Sequence, residues 1–223
     1  MLYLLPTPIG NISDITLRTL EVLRSVDLVL CEDTRVTSRL LKHYEIEVPL
    51  QPFHTHNEHK RLRTILEQLL AGAQIALVTD AGSPGISDPG YLLARACIDE
   101  QIPMDVLPGA TAFVPALIHS GLPSHRFHFE GFLPHKKGRQ TRLRYLATLP
   151  DTFILYESPQ RILKCLTQLA EHCGPTRQAA VCRELTKMFQ QVARGSLEEL
   201  IKEVEDKTFK PKGEMVIVVA GKD

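Results

Sequence analysis

A glycine- and proline-rich segment covers residues 79–91 and directly follows an apolar, strand-like run at residues 74–78. It contains three glycines and two prolines. Glycine reaches backbone conformations that other residues resist, and proline fixes its own φ, so such a segment has a defined shape. We expect a loop whose main-chain N–H and C=O groups approach a small ligand closely, although an isolated segment of this kind is more often a plain surface turn.

Two similar loops follow other strand-like runs. Residues 6–11 follow the run 2–5, and residues 108–112 follow the run 104–107. The carboxyl ends of parallel strands meet at one edge of a sheet, where open α/β sheets bind their ligands. Three small-residue loops at the same edge therefore predict a binding site.

The first half of the chain alternates short apolar runs with segments of helical periodicity. Asp14 is the expected N-cap of a helix over residues 15–26, and a further helix is expected over residues 58–70. This βαβα order predicts a parallel sheet with helices on its faces. Because the Gly-Leu-Pro-Ser sequence at residues 121–124 is typical of a hinge, we predict an N-terminal α/β domain over residues 1–120 that carries the binding loops.

The second half, residues 121–223, has a different order of elements. Some of its strands are expected to pair antiparallel, and Ser196 and Glu199 form the pattern of a capping box at the start of the last helix. The predicted fold class is α/β with two α/β domains, the N-terminal one built on a mainly parallel sheet and the C-terminal one on a mixed sheet. The predicted strands of the second half are residues 126–129, 152–156, 178–182, 189–194 and 214–219.

Composition excludes several classes of protein. The 223 residues include 26 basic and 26 acidic side chains, so the formal net charge is zero and any contact with nucleic acid must be local. No apolar stretch reaches the roughly 20 residues of a membrane-spanning helix, and the N-terminus lacks a secretory signal pattern. Five cysteines without a C-x-x-C pair argue for buried thiols rather than a disulfide framework or a zinc site. We expect a soluble, cytoplasmic protein.

Common nucleotide-binding and hydrolase motifs do not occur in the sequence. There is no G-x-G-x-x-G after the first strand, no G-x-x-x-x-G-K-[ST] and no G-x-S-x-G. A dinucleotide site of the common type, a P-loop and a nucleophile elbow are therefore not supported.

Nine short motifs cover nearly the whole chain and together resemble those of the bacterial 16S ribosomal RNA (cytidine-2′-O)-methyltransferases, within the tetrapyrrole methylase superfamily. The probability that so many motifs occur in the same order by chance is very small. The motifs are PTPIGNISDIT (6–16), CEDTR (31–35), HTHNE (54–58), DAGSPGISDPGY (80–91), LPG (107–109), EGFLP (130–134), YES (156–158), RELTK (183–187) and KGEM (212–215).

The resemblance implies a fold of the tetrapyrrole methylase, or class III methyltransferase, type that binds S-adenosylmethionine in the cleft between its domains. It also implies a homodimer that acts in the cytoplasm on the decoding region of the small ribosomal subunit. By motif match the cofactor would contact Pro8, Ile9, Gly10, Asp80, Ala81, Gly82, Ser83, Pro84, Ile86, Gly109, Ala110, Thr111 and Ala112 in the N-terminal domain, and Glu157, Ser158, Gly213, Glu214 and Met215 in the C-terminal domain.

Methyl transfer from a sulfonium to a ribose hydroxyl needs a nucleophile held in line, and a general base can take the hydroxyl proton. Asp33 and Arg35 follow one strand, and His54 and His56 follow the next, so these four are the catalytic candidates. Asp33 can equally be a helix N-cap with Arg35 as its surface partner, and the histidines can be solvated loop residues. A metal at the histidines is disfavoured because no Cys or carboxylate set completes the ligand shell.

A local basic segment lies at residues 131–150, which contain five Lys or Arg and no acidic residue. We predict that Lys136, Lys137, Arg139 and Arg142 contact RNA phosphates, which gives salt-dependent affinity without reading the base sequence. A charged, solvated helix face is the alternative.

Two other functions stay open. A tetrapyrrole C-methyltransferase of the precorrin or uroporphyrinogen type would use the same fold and cofactor on a ring carbon, but the basic segment and the histidines argue against it. A non-catalytic module would bind S-adenosylmethionine or the ribosome without turnover.

Some members of the family carry a C-terminal extension beyond the last strand. We expect other surface of this protein to make the RNA contacts of that extension.

Overall fold

The first half of the chain forms a five-stranded sheet in which every neighbouring pair is parallel. The computed structural model describes residues 1–222, and the first of its two units covers Met1–Thr111. The strands are β1 (Leu2–Leu4), β2 (Leu28–Cys31), β3 (Leu50–Pro52), β4 (Ile75–Leu77) and β5 (Met104–Val106). Their order is β3-β2-β4-β1-β5, which confirms the predicted parallel sheet.

Helices cover both faces of this sheet. They are α1 (Leu17–Ser25), α2 (Thr34–His43), α3 (Glu58–Leu70) and α4 (Tyr91–Asp99). On one face Leu77 packs in a cluster with Ile65 of α3 and Leu93 of α4. On the other face Ala76 packs in a cluster with Leu23 of α1 and Leu41 of α2. β4 is apolar throughout because a strand buried on both faces has no position for a polar side chain.

The start of α1 differs from the prediction. Asp14 lies in a short 3-10 helix, Ile12–Asp14, and does not cap α1. Thr16 is the N-cap, and its side chain accepts a hydrogen bond from the Thr19 amide. Both residue types cap helices well, so the sequence pattern alone did not distinguish them.

The second unit, which starts at Ala112, contains the mixed sheet that was predicted. Its strands are β6 (Phe127–Phe132), β7 (Thr152–Glu157), β8 (Gln178–Arg183), β9 (Gln191–Ser196) and β10 (Met215–Val219). The order is β6-β7-β10-β8-β9; β6 and β7 are parallel and the other pairs are antiparallel. Its helices are α5 (Phe113–Ser120), α6 (Arg139–Leu146), α7 (Ile162–Cys173) and α8 (Leu197–Glu205).

The division between the units precedes α5, whereas the predicted boundary follows residue 120. The difference arises because α5 packs on β8 and β10, where the Cys182 thiol lies 3.9 Å from the Ala116 carbonyl oxygen. The predicted hinge begins where α5 ends, at Gly121, which has a left-handed conformation. The predicted capping box of Ser196 and Glu199 is present at α8.

The cysteines are free thiols, as predicted, and four of the five are buried. Burial raises the pKa of Cys97 and Cys182 to about 11 and that of Cys165 to about 12, so these thiols stay protonated. Among residues 1–222, none of the helices is both long and apolar enough to cross a membrane.

Candidate functional site

The loops after β1 and β4 are joined by their main chains. Thr7 and Gly82 form an isolated antiparallel bridge, with N···O distances of 2.9 Å and 3.0 Å in the two directions. The Thr7 hydroxyl also donates to the Thr79 carbonyl oxygen at 3.0 Å. The two predicted binding loops are therefore one connected structure.

The loop after β5 joins the same structure. The Ser83 hydroxyl donates to the Ala110 carbonyl oxygen at 3.2 Å, and a Cβ placed on Gly109 would lie 2.6 Å from the Pro6 Cβ. Only glycine allows these chains to approach so closely. We call residues 6–11, 79–90 and 108–111 the loop cradle. It contains every predicted cofactor contact of the first unit.

Positive φ angles define the central loop of the cradle. Gly82 and Gly85 have φ of 88° and 82°, in the region that L side chains rarely adopt. A Cβ on Gly90 would lie 3.0 Å from a Leu77 methyl and 3.1 Å from the Gly85 nitrogen. Because these constraints come from the backbone, the loop presents main-chain groups in a fixed arrangement.

The cradle lies at a point where the chain leaves the sheet in opposite directions. β2 leads on to β3 at one edge, and β4 leads on to β5 at the other edge. A crevice forms between adjacent strands whose connections diverge in this way. Across it, the Asp33 amide donates to the Asp80 carboxylate at 3.1 Å, so the Asp33 segment adjoins the cradle.

Three carboxyl groups near this crevice differ in their chemistry. Asp33 caps α2, and hydrogen bonds from Arg35 lower its pKa to about 2, which makes it a weak proton acceptor. Partial desolvation raises the pKa of Asp80, although the residue is exposed. Burial also raises the pKa of Glu32, and the charge of Asp80 raises it further. Glu32 belongs to the same segment after β2 as Asp33 and Arg35, although it is not one of the four predicted catalytic residues.

The ring of His54 is oriented by Asn57. The Asn57 side chain accepts from the His54 amide at 2.9 Å and donates to the Pro52 carbonyl oxygen at 3.1 Å. These two backbone partners fix the amide so that its NH₂ group faces the His54 Nε2 at 3.2 Å. The neutral ring therefore carries its proton on Nδ1, which is buried and lacks a hydrogen-bond partner among residues 1–222.

His56, the other predicted histidine, is exposed, and its ring meets that of His54 edge-on at a centroid distance of 5.9 Å. Asn57 occupies the N-cap position of α3, but its side chain holds the preceding loop and makes no capping hydrogen bond to the helix. Across the described part of the chain, no group of three His, Cys, Asp or Glu side chains is placed to hold a metal ion.

In the second unit, Glu157 is buried in an ion-pair network. Its carboxylate pairs with Arg161 at 2.7 Å and with Arg139 at 3.4 Å, and it accepts from the Ser158 amide at 2.8 Å. The network orders the turn between β7 and α7. The Glu157 carboxylate is thus engaged within its own unit.

This network corrects one predicted RNA contact. Arg139 is only 5% exposed, and its guanidinium also donates to Gln168 at 2.8 Å, so it is not on the phosphate-accessible surface. Helical periodicity places it on the inner face of α6 beside Leu143. Lys136 and Lys137 are exposed, as an RNA contact requires. Arg142 is partly exposed and pairs with Glu130.

The segment before β10 is shaped by Glu184. The Glu184 carboxylate accepts from the Glu214 amide at 3.0 Å and from the Lys187 ammonium at 3.1 Å. Gly213 has a φ of 79°, and a Cβ there would overlap the same carboxylate. The predicted cofactor contacts Gly213, Glu214 and Met215 therefore lie in a segment that one acidic side chain positions.

The class of the fold follows from a comparison with known families. The family model of tetrapyrrole (corrin/porphyrin) methylases matches residues 1–201. A solved structure of uroporphyrin-III C-methyl transferase from Thermus thermophilus, complexed with S-adenyl homocysteine, superposes with a TM-score of 0.67 at 18% identity and covers 98% of this chain and 96% of that one. The chain therefore has the tetrapyrrole methylase fold.

Closer relatives narrow the assignment. The chain is 49% identical to ribosomal RNA small subunit methyltransferase I of Synechocystis sp. over 222 residues. The alignment covers 99% of this chain and 79% of the relative. The chain is 44% identical to the protein of the same name from Thermotoga maritima, over 100% of this chain and 99% of the relative. Within the tetrapyrrole methylases, the chain belongs to the ribosomal RNA small subunit methyltransferase I family.

Proposed function

We propose that this protein transfers a methyl group from S-adenosylmethionine to the ribose 2′-oxygen of a cytidine in the decoding region of 16S ribosomal RNA. The observation that carries the proposal is the loop cradle in a chain 44–49% identical to relatives named ribosomal RNA small subunit methyltransferase I. The names of the relatives support the reaction, and the geometry of the cradle supports binding of the cofactor.

The cradle fits a small ligand with many polar atoms. Gly82 and Gly109 let the three loops approach one another closely, and Pro8, Ile9 and Gly10 lie in the first of these loops. S-adenosylmethionine, when bound, supplies an electrophilic methyl group on a sulfonium. In the second unit, Ser158 and the Gly213 segment would contribute through their main chain, because the carboxylate of Glu157 is already paired.

The geometry divides the work among the predicted catalytic residues. Asp33 and Arg35 hold the start of α2 and the position of Asp80 through the Asp33 amide. Asp80, with a raised pKa, is the better proton acceptor for the ribose hydroxyl. The His54 ring is held by Asn57 at Nε2 and buried at Nδ1, so it would position the loop, whereas the exposed His56 would contact the substrate nucleotide.

Exposed lysines would hold the RNA backbone. Lys136 and Lys137 are exposed and precede α6 in a segment, residues 131–150, that contains no acidic residue, which favours electrostatic contacts with phosphates. We further propose a cytoplasmic homodimer that acts on the small ribosomal subunit, on the strength of family likeness.

The decisive experiment offers labelled S-adenosylmethionine to purified small ribosomal subunits that lack the modification, and then maps the labelled nucleotide. We expect label on a cytidine 2′-oxygen in the decoding region. Control subunits that already carry the methyl group should take up no label. Binding of the cofactor without any label would contradict the proposal. That result would favour a binding module or, if a tetrapyrrole became labelled, a ring methylase.

A further inference from the structure

Arg183, the last residue of β8, is a buried cation without a paired anion. The residue is 7% exposed, and its guanidinium donates to the Gln191 side chain at the long distance of 3.4 Å. Its Nε–H is shielded from solvent and has no hydrogen-bond partner among the described residues. None of the ion pairs within residues 1–222 includes Arg183.

Arg139 in the same unit shows what a buried arginine normally requires. It is 5% exposed, and its guanidinium meets a carboxylate, a side-chain amide and a carbonyl oxygen. Buried charges in proteins are paired or hydrogen-bonded because loss of hydration is otherwise uncompensated. Arg183 has no comparable set of acceptors, so its burial calls for an anion from outside the chain.

The neighbouring acidic side chain does not provide that anion. Glu184 follows Arg183 directly, but its carboxylate accepts from Lys187 and from the Glu214 amide. Lys187 in turn pairs with Glu214 at 3.2 Å. The carboxylates of Glu184 and Glu214 are therefore both paired with Lys187.

Arg183 also lies beside the segment that the resemblance assigns to the cofactor. In the sheet register it pairs with Met215 on β10 and with Gln191 on β9. Met215 is the last residue of the Gly213–Glu214–Met215 run. A ligand that reaches this run would therefore lie beside the strand end that carries Arg183.

We propose that Arg183 binds an oxyanion of a reactant, either a phosphate of the RNA or the carboxylate of S-adenosylmethionine. A guanidinium presents two parallel N–H groups that match both anions, and its free Nε–H is one of them. The assignment rests on the proposed function for the identity of these reactants. The shared chemistry is a planar, charge-assisted pair of hydrogen bonds.

The test compares Arg183→Met with Arg139→Met in the full-length protein. Methionine fills a similar apolar volume without the charge, so Arg183→Met should not lower the melting temperature, because the free protein loses an unpaired cation. Arg139→Met should lower it, because Glu157 loses a partner. We expect Arg183→Met to weaken binding of one reactant at least tenfold.

Two binding arms distinguish the sources of the anion. In the first, calorimetry compares S-adenosylhomocysteine with 5′-methylthioadenosine, which lacks the amino acid portion; a carboxylate contact predicts a loss for the first ligand alone. In the second, binding to small ribosomal subunits is measured over a salt series, and a phosphate contact predicts a salt slope lower by about one. Arg183→Lys should recover only part of the affinity in either arm, because lysine keeps the charge but lacks the fork.

Both affinities within twofold of wild type would overturn the assignment. So would a melting temperature as low as that of Arg139→Met with binding unchanged, which would make Arg183 a structural residue. Failure of the proposed function has a different signature. A wild-type protein that binds S-adenosylhomocysteine but neither binds nor methylates small subunits would refute the RNA substrate while the first arm still reports on Arg183.

Discussion

The segments predicted to contact the cofactor are held by different groups in the two units. In the first unit the loop cradle is held by main-chain and hydroxyl hydrogen bonds such as the Thr7–Gly82 bridge, and its close contacts depend on missing side chains. In the second unit the turn after β7 and the segment before β10 are held by buried or half-buried charges, with Glu157 and Glu184 at their centres.

This difference determines what each part tolerates. The main-chain contacts of the cradle are sensitive to an added Cβ, and the amide and carbonyl groups that make them do not titrate. A segment held by carboxylates is sensitive to loss of charge, since each buried partner is then left uncompensated. Substitutions that add atoms should therefore act mainly in the first unit, and substitutions that remove charge should act mainly in the second.

The largest expected effect is on Glu157. Replacement by Gln leaves Arg139 and Arg161 buried or half-buried without their anion, and we expect the free energy of unfolding to fall by about 3–5 kcal/mol. Urea denaturation measures this change. Glu214→Gln is the matched control, because its side chain is 67% exposed beside Lys187, and an exposed pair contributes at most about 1 kcal/mol. Equal losses of stability for the two variants would mean that the buried Glu157 network stabilises the fold no more than an exposed ion pair does.

The second effect concerns the cradle. Gly82→Val should lower the affinity for S-adenosylmethionine at least tenfold, because a branched side chain would enter the space between Ile9 and Ala110. Gly72→Val is the control: Gly72 also has a positive φ but faces open space outside the cradle. Both variants should lose about 1–3 kcal/mol of stability from backbone strain, so calorimetric affinity is the discriminating measurement. Normal affinity in a folded Gly82→Val protein would remove this loop from the cofactor site.

The sequence predicted the loop arrangement of the first unit better than the side-chain environments of the second, and the reason is physical. The cradle is encoded locally, since glycine and proline restrict the backbone where they occur and parallel strands bring the loops to one edge. Arg139 was assigned to RNA because a run of basic residues does not reveal which of them turns inward. Its partner Glu157 lies on another element. No sequence pattern could have shown that Arg183 is buried without an anion.

The third prediction tests the exposed part of the second unit. Lys136→Ala combined with Lys137→Ala should weaken binding to small ribosomal subunits and reduce the salt slope by about two. Stability and cofactor affinity should not change, because neither side chain is buried. The control replaces two other exposed lysines of this unit, Lys164 and Lys202. A salt slope that stays the same in the first variant, or falls as much in the control, would make these lysines ordinary surface.

The smallest expected effect lies in pH dependence, where the units should differ in sign. Partial desolvation raises the pKa of Asp80 in the first unit. The ionised carboxylate is therefore less favourable in the folded chain than in the unfolded chain. Stability is lost as the pH rises from the unfolded-state pKa of Asp80 to its higher folded-state pKa. Asp80→Asn should raise the melting temperature at pH 7 and leave it unchanged near pH 3, because the amide oxygen can still accept from the Asp33 amide.

Glu130 in the second unit should behave in the opposite way. Burial alone would raise its pKa, but hydrogen bonds from Arg142 and His128 outweigh this and lower it. Its stabilising contribution is present above the unfolded pKa of about 4.3 and is lost as pH falls through the folded value. Glu130→Gln should lower the melting temperature at pH 7 and flatten its decline between about pH 5 and pH 3. Thermal unfolding of both variants across this range measures the comparison, and shifts of the same sign at pH 7 would show that the contrast between the units does not extend to their carboxylates.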